Sequence, residues 1–173
     1  VVTAPDYPLA PKHTFIDAFH MVISVYHEMV ANVGSHNIVV MGDSAGGGFS
    51  LALCQRLKYE NLPQPRRIIL LSPWLDLTLT NPEIPSIDSQ DPFLGVSGLR
   101  KAAVAYSGGH DLNDYLLSPI NGSLNGLAPI SIFVGSNDIL VADARRLALI
   151  AKQRGIAIDY REYSDMVHVW MLL

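Results

Sequence analysis

The chain has 173 residues, a net charge of -4, 49% hydrophobic and 16% charged residues, a balance that fits one globular domain with a buried core and excludes a disordered segment. Basic residues occur only as isolated pairs (Arg66-Arg67, Arg100-Lys101, Arg145-Arg146), so there is no stripe to neutralise phosphates and no nucleic-acid partner is expected. No apolar run approaches the roughly 20 residues of a membrane-spanning helix, the start Val1-Val2-Thr3-Ala4-Pro5 lacks the pattern of a secretory signal, and the lone Cys54 cannot form an internal disulfide, which together set a cytoplasmic location as the expectation.

In chain order, Phe15, Phe19, Val22, Tyr26, Met29 and Val33 recur at spacings of four and three, predicting a helix with one buried face. Thr14 with Asp17 makes a capping box at its start and Gly34 ends it. Asn37 to Met41 is a short β-branched run stopping at Gly42, read as a strand buried on both faces and therefore as part of a parallel sheet. A helix over about 45–59, strands at 67–72 and 130–135, a helix over about 141–154 and a strand at 157–163 continue the alternation. The expected fold class is α/β, a mostly parallel sheet flanked by helices and joined by right-handed crossovers. Residues 75–127 break the rhythm: Pro82, Pro85, Pro92, several glycines and one short helical stretch near 98–106 form a connection long enough to be a lid or binding loop. The whole reads as one domain, 1–173, with that insertion.

Gly42-Asp43-Ser44-Ala45-Gly46 matches G-x-S-x-G between a predicted strand and a predicted helix, the context of a nucleophile elbow. Ser44 sits at a strained turn where Cβ atoms two residues before and after are expected to collide, so Gly42 and Gly46 are the elbow glycines. The helix that follows aims its N-terminal dipole at the reacting carbonyl, with the Ala45 N–H as an oxyanion donor. Phosphate-binding glycine patterns are absent.

The order serine, acid, histidine leads to Asp138, in Gly-Ser-Asn-Asp-Ile-Leu after the strand 130–135, and to His168, the only histidine downstream of it. Asp143 is a competing carboxylate lying further into the following helix; Asp138 is favoured because it lies nearest the carboxyl end of its strand. His20 and His27 fall off the apolar stripe of their helix, and His13, His36 and His110 lie in loops. No His/Cys/Asp cluster has metal-ligand spacing, so neither a metal nor a cofactor is expected.

On these motifs the chain resembles the hormone-sensitive-lipase-like branch of the α/β-hydrolases. Tyr7-Pro-Leu-Ala-Pro11, Gly42-Asp-Ser-Ala-Gly-Gly47, Leu71-Ser-Pro-Trp-Leu-Asp-Leu-Thr78, Asp138-Ile-Leu and His168-Val-Trp look like successive segments of that family. Lys12 stands where Glu is usual, and Thr14 and Ile16 where prolines are common. Members of the family carry an upstream His-Gly-Gly loop that completes the oxyanion hole, and no histidine here is followed by glycine. The resemblance implies that Val1 lies at the start of the family's fourth strand and Leu173 just before its closing helix, an incomplete hydrolase domain lacking upstream strands and the final helix, and open to pairing with another chain or to a homo-oligomer. It implies a carboxylesterase acting on short acyl esters, with a small-molecule ester as substrate. An amidase or peptidase on the same triad, and a ligand-binding or weakly active remnant, are the alternatives.

Overall fold

The computed structural model describes all residues from Val1 to Leu173. Helix α1 spans Phe15–Val33. Strand β1, Val39–Asp43, runs into α2, Ser44–Tyr59; β2 is Arg67–Leu71; α3, Ile84–Asp88, and α4, Val96–Ser107, lie in the long connection; β3 is Ile130–Gly135, α5 Val141–Gln153 and β4 Ile158–Tyr163. The sheet is ordered β1-β2-β3-β4 and every pair is parallel.

That order dictates the layering. Parallel strands laid down side by side in chain order need a crossover at each step, and right-handed crossovers that all advance in one direction fall on the same face. Ile68, Leu70, Ile132 and Val134 point to that face and are fully buried, with α2 packed over β1 and β2 and α5 over β3 and β4. Helix α1 forms an outer layer on α2: Phe19 and Phe49 have ring centroids 4.4 Å apart, and the Tyr26 hydroxyl donates to the Pro63 carbonyl at 2.8 Å.

Within this chain the opposite face carries no helix, so the first strand, expected to be buried on both sides, is covered on one. Val39 and Met41 are 49% and 61% exposed; β1 is an edge strand, and its outward-facing residues have neither a neighbouring strand nor a crossover helix over them. Deeper in the sheet, long side chains give partial cover: the Arg67 guanidinium donates to Ser131 Oγ at 3.0 Å, and Arg161 lies 5.9 Å from the centroid of the Phe133 ring. Residues 1–5, placed by resemblance on a strand, form none. Val1 and Val2 extend into solvent, and the first anchored side chain is Tyr7, stacked on Phe49 at 5.7 Å.

The helix α1 begins as its sequence predicts, with the Thr14 N–H donating to Asp17 Oδ2 at 3.0 Å, and it stops at Gly34, whose φ is 77°. Residues 75–127 are more structured than a loop. Leu75, Leu77, Leu79, Ile84, Ile87, Leu99 and Leu117 all enter the same core as the sheet. Asn81 Nδ2 donates to Asp143 Oδ1 at 2.9 Å, fastening this segment to α5, and Glu83 pairs with Arg145 at 3.0 Å beside it.

Asp143 is buried, and loss of hydration raises its carboxyl from the ordinary 3.8 to about 6; nearby Asp76 pushes in the same direction, while Asn81 and Arg146 oppose. A carboxyl held above its unfolded value binds protons more tightly in the folded chain, so stability falls as pH rises from about 3.8 to about 6 and the full cost remains above that window. Asp143→Asn retains an acceptor for Asn81 and carries no charge. It is expected to raise the melting temperature at pH 7, by up to about 3 kcal/mol of stability, and the gain should vanish near pH 4 in thermal melts recorded against pH.

Candidate active site

All the candidate residues lie at the carboxyl edge of the sheet, where open α/β sheets place function. Ser44 follows β1 and opens α2 with φ 52°, a left-handed conformation that costs a non-glycine residue energy and is held by its surroundings. The Trp74 N–H, from the turn after β2, donates to the Ser44 carbonyl at 2.9 Å. A Cβ on Gly42 would strike the Gly46 carbonyl and the Ser50 hydroxyl, so this position admits only glycine. Gly46 itself has open space where its Cβ would be. The expected two-sided collision is therefore one-sided: the Gly46 backbone is the obstacle, and it crowds Gly42. The Ala45 amide sits in the first turn of α2, exposed, among the N–H groups that an α-helix leaves unpaired at its start.

The loops of the candidate acid and base follow β3 and β4. His168 Nδ1 lies 3.0 Å from Asp138 Oδ2; the Asp138 side chain is fully buried and that of His168 is 10% exposed. Asp138 Oδ1 accepts the Leu140 N–H at 2.9 Å, which occupies the carboxylate's other oxygen. A carboxylate at Nδ1 fixes the neutral ring with its proton there and leaves Nε2 as the basic nitrogen. The two loops are stapled together. The Asn137 N–H donates to the Met166 carbonyl at 2.9 Å and the Ser136 N–H to the Tyr163 carbonyl at 2.9 Å, while the Asp165 N–H donates to Ser136 Oγ at 2.8 Å. A Cβ on Gly135 would strike the Met166 carbonyl, so the approach of the loops requires glycine at the end of β3.

Sequence reasoning missed two side chains here. Ser72, fully buried at the end of β2 with φ 45°, accepts the Val169 N–H on its Oγ at 3.1 Å and donates its own N–H to the Phe133 carbonyl at 2.8 Å. The residue after His168 is thereby tied to the strand beside β1. Asp91, from the long connection, accepts the Ile139 N–H at 2.9 Å. The position of Ser72, immediately after a strand that neighbours the elbow, is a signal that could have been used; nothing around Asp91 marks it. The competing carboxylate Asp143 bonds to Asn81, not to a histidine. His20, His27 and His36 are exposed on or beside α1, His13 lies near Asp17, and His110 packs edge-on to Phe15 at 5.3 Å. Cys54 is buried in α2, and burial pushes its thiol well above the ordinary range, which suits a packing role. No helix is long and apolar enough to cross a membrane.

A sequence model of the α/β-hydrolase fold matches residues 1–172. An esterase of Acinetobacter venetianus is 34% identical over 164 residues, covering 93% of this chain and 54% of the relative, and an acetyl-hydrolase of Streptomyces hygroscopicus is 32% identical over 170 residues, covering 98% and 57%. Among solved structures, an esterase from the bacterial hormone-sensitive lipase family superimposes with a TM-score of 0.91 at 34% identity, covering 95% of this chain and 56% of that one. The chain spans about half the length of the curated relatives it matches. The fold, the sheet order and these relatives agree: this chain belongs to the α/β-hydrolase fold family, in its hormone-sensitive-lipase-like branch.

Proposed function

We propose that this chain forms the catalytic part of a serine carboxylesterase that cleaves short-chain acyl esters through an acyl-enzyme on Ser44. The observation that carries the reading is the buried Asp138–His168 pair, 3.0 Å apart, on the same sheet edge as a serine held at positive φ. In this mechanism His168 Nε2 takes the proton from Ser44 Oγ as that oxygen attacks the ester carbonyl carbon. The tetrahedral oxyanion accepts the Ala45 N–H. Collapse breaks the bond to the alcohol, which leaves with the proton from His168; a water molecule then gives a proton to His168 as it attacks the acyl carbon, and a second collapse breaks the bond to Ser44 Oγ, which regains the proton from His168 as the carboxylic acid leaves. Asp138 stabilises the imidazolium without taking the proton. No cofactor enters the scheme.

The name acetyl-hydrolase on one curated relative supports a short acyl group, although a Mycobacterium tuberculosis relative that is 33% identical is a triacylglycerol lipase. Residues 75–127 are the segment we assign to acyl selection. Their side chains share the main core, so the segment acts as a fixed wall rather than a detachable flap, and it leaves Phe93 60% exposed two residues beyond Asp91. Ester and amide substrates sharing one acyl group would separate the esterase from an amidase on the same residues.

In the complete polypeptide, Ser44→Ala is expected to lower kcat/KM for p-nitrophenyl butyrate by about 10⁶ and to abolish labelling by a fluorophosphonate probe. Retained labelling would show that another residue is the nucleophile. Ser72→Ala removes only the acceptor of the Val169 N–H, and leaving this part-buried donor unpaired costs at most about 1–3 kcal/mol; kcat should fall about tenfold with KM little changed, read from initial rates. Phe93→Ser should shift the ratio of rates on butyrate and octanoate esters at unchanged melting temperature; an unaltered ratio would place acyl selection elsewhere.

A further inference from the structure

The long connection reaches the acid loop through one carboxylate. Asp91 is 9% exposed; its Oδ2 accepts the Ile139 N–H at 2.9 Å, and its Oδ1 accepts the N–H groups of Phe93 at 2.9 Å and Leu94 at 3.0 Å. All its bonds are to backbone amides; no lysine or arginine pairs with it. The Ile139 amide belongs to the peptide that leaves Asp138. The next amide, that of Leu140, is held by Asp138 Oδ1, and the Val141 N–H donates to the Asp138 carbonyl at 2.9 Å. Every backbone donor in 139–141 is thus used. Of these three bonds, Asp91 supplies the only one that comes from outside the turn.

We propose that Asp91 is a positioning residue for Asp138: by fixing the plane of the 138–139 peptide, it aims the Asp138 carboxylate at His168 Nδ1. The inference rests on the reading of Asp138 and His168 as acid and base given above. A carboxylate is suited to the task, since its two oxygens take amides from both sides, closing the 91–94 turn with one and gripping the acid loop with the other. Because Asp138 Oδ1 is anchored on the Leu140 amide, one residue beyond the amide that Asp91 grips, a shift of the 138–139 peptide moves the donor that orients the carboxylate. Misplacement of a catalytic group by about 1 Å costs on the order of 10² in rate. The long connection, which bears the proposed acyl wall, is in this way mechanically joined to the proton-handling pair.

Asp91→Asn tests the proposal in the complete polypeptide. An amide offers one acceptor and one donor group, so it can keep the 91–94 turn or the grip on Ile139, and not both. The expected result is a 10- to 100-fold fall in kcat with little change in KM and faster hydrogen exchange at the Ile139 amide. Asn81→Ala is the control: it breaks the other clamp of the same segment, on Asp143, without touching the acid loop, and should lower the melting temperature while leaving kcat and the exchange of the Ile139 amide in place. Asp91→Ser, which buries no amide, serves in the same measurements if Asp91→Asn does not fold. The proposal is overturned if the folded Asp91 variant stays within twofold of the parent kcat, or if Asn81→Ala lowers kcat equally. It fails alone if Ser44→Ala and Asp138→Asn still abolish turnover; activity surviving in those two variants would remove the catalytic reading and this inference with it.

Discussion

Handedness organises this molecule. Strands added in sequence, each parallel to the last and each joined by a right-handed crossover, bring every carboxyl end to one edge and every crossover to one face. From that constraint the rest follows. The segments after β1, β2, β3 and β4 all emerge at the same edge, so Ser44, Ser72, Asp138 and His168, far apart in sequence, share it. The buried face of Ile68, Leu70, Ile132 and Val134 supplies the rigid floor under them, and rigid elements hold groups in place more accurately than loops do.

The edge is also where the backbone is strained. Ser44, Ser72 and Val169 all have positive φ, near 50°, a region a non-glycine residue occupies only when neighbouring contacts outweigh the cost of about 1–3 kcal/mol. Each of the three is tied to another. The Ser44 carbonyl accepts from Trp74, two residues past Ser72, and the Val169 amide donates to Ser72 itself. The turn after β2 is therefore the hub that fixes both the candidate nucleophile's turn and the loop of the candidate base. The Ser44 turn and the Val169 turn are each bonded to this hub, so it holds the distortion of both.

The chain's periodicities made most elements legible. The apolar spacing of α1 and its Thr14–Asp17 box located that helix to the residue, and β3 was bounded as Ile130–Gly135 by its own apolar run. For β1 the composition misled, because a run of Ile, Val and Met reads as buried on two faces whereas burial depends on what lies above it. The strand begins at Val39, two residues later than read, since 35–37 form a 3-10 turn stabilised by Asn37 Nδ2 on the Val33 carbonyl. Helix α3 was unreadable: one turn and a half beside prolines has too little period to detect. Ser44, Asp138 and His168 were singled out by motif and chain order, while Asp91 and Asn81 were invisible because their partners, Ile139 and Asp143, lie about fifty and sixty residues away, and nothing local to a carboxylate or an amide states which distant donor it will meet.

The strand that carries the elbow lies at an edge of the four-stranded sheet. Within this chain its outer backbone edge is unpaired and Val39 and Met41 are exposed. Such a strand frays unless it is gripped from within. Here the grip has three parts: five residues paired in register with β2, the continuation of β1 into α2 without a break, and the packing of Gly47 and Gly48 so close to Pro73 and Trp74 that no Cβ fits between them. The last contact is the short-range one. It sets α2 directly against the turn after β2, and that turn also holds Ser44 through Trp74. Cover over Val39 and Met41 would therefore add stability to β1 as a whole, whereas the local geometry of Ser44 is already set by contacts on the other side of the strand.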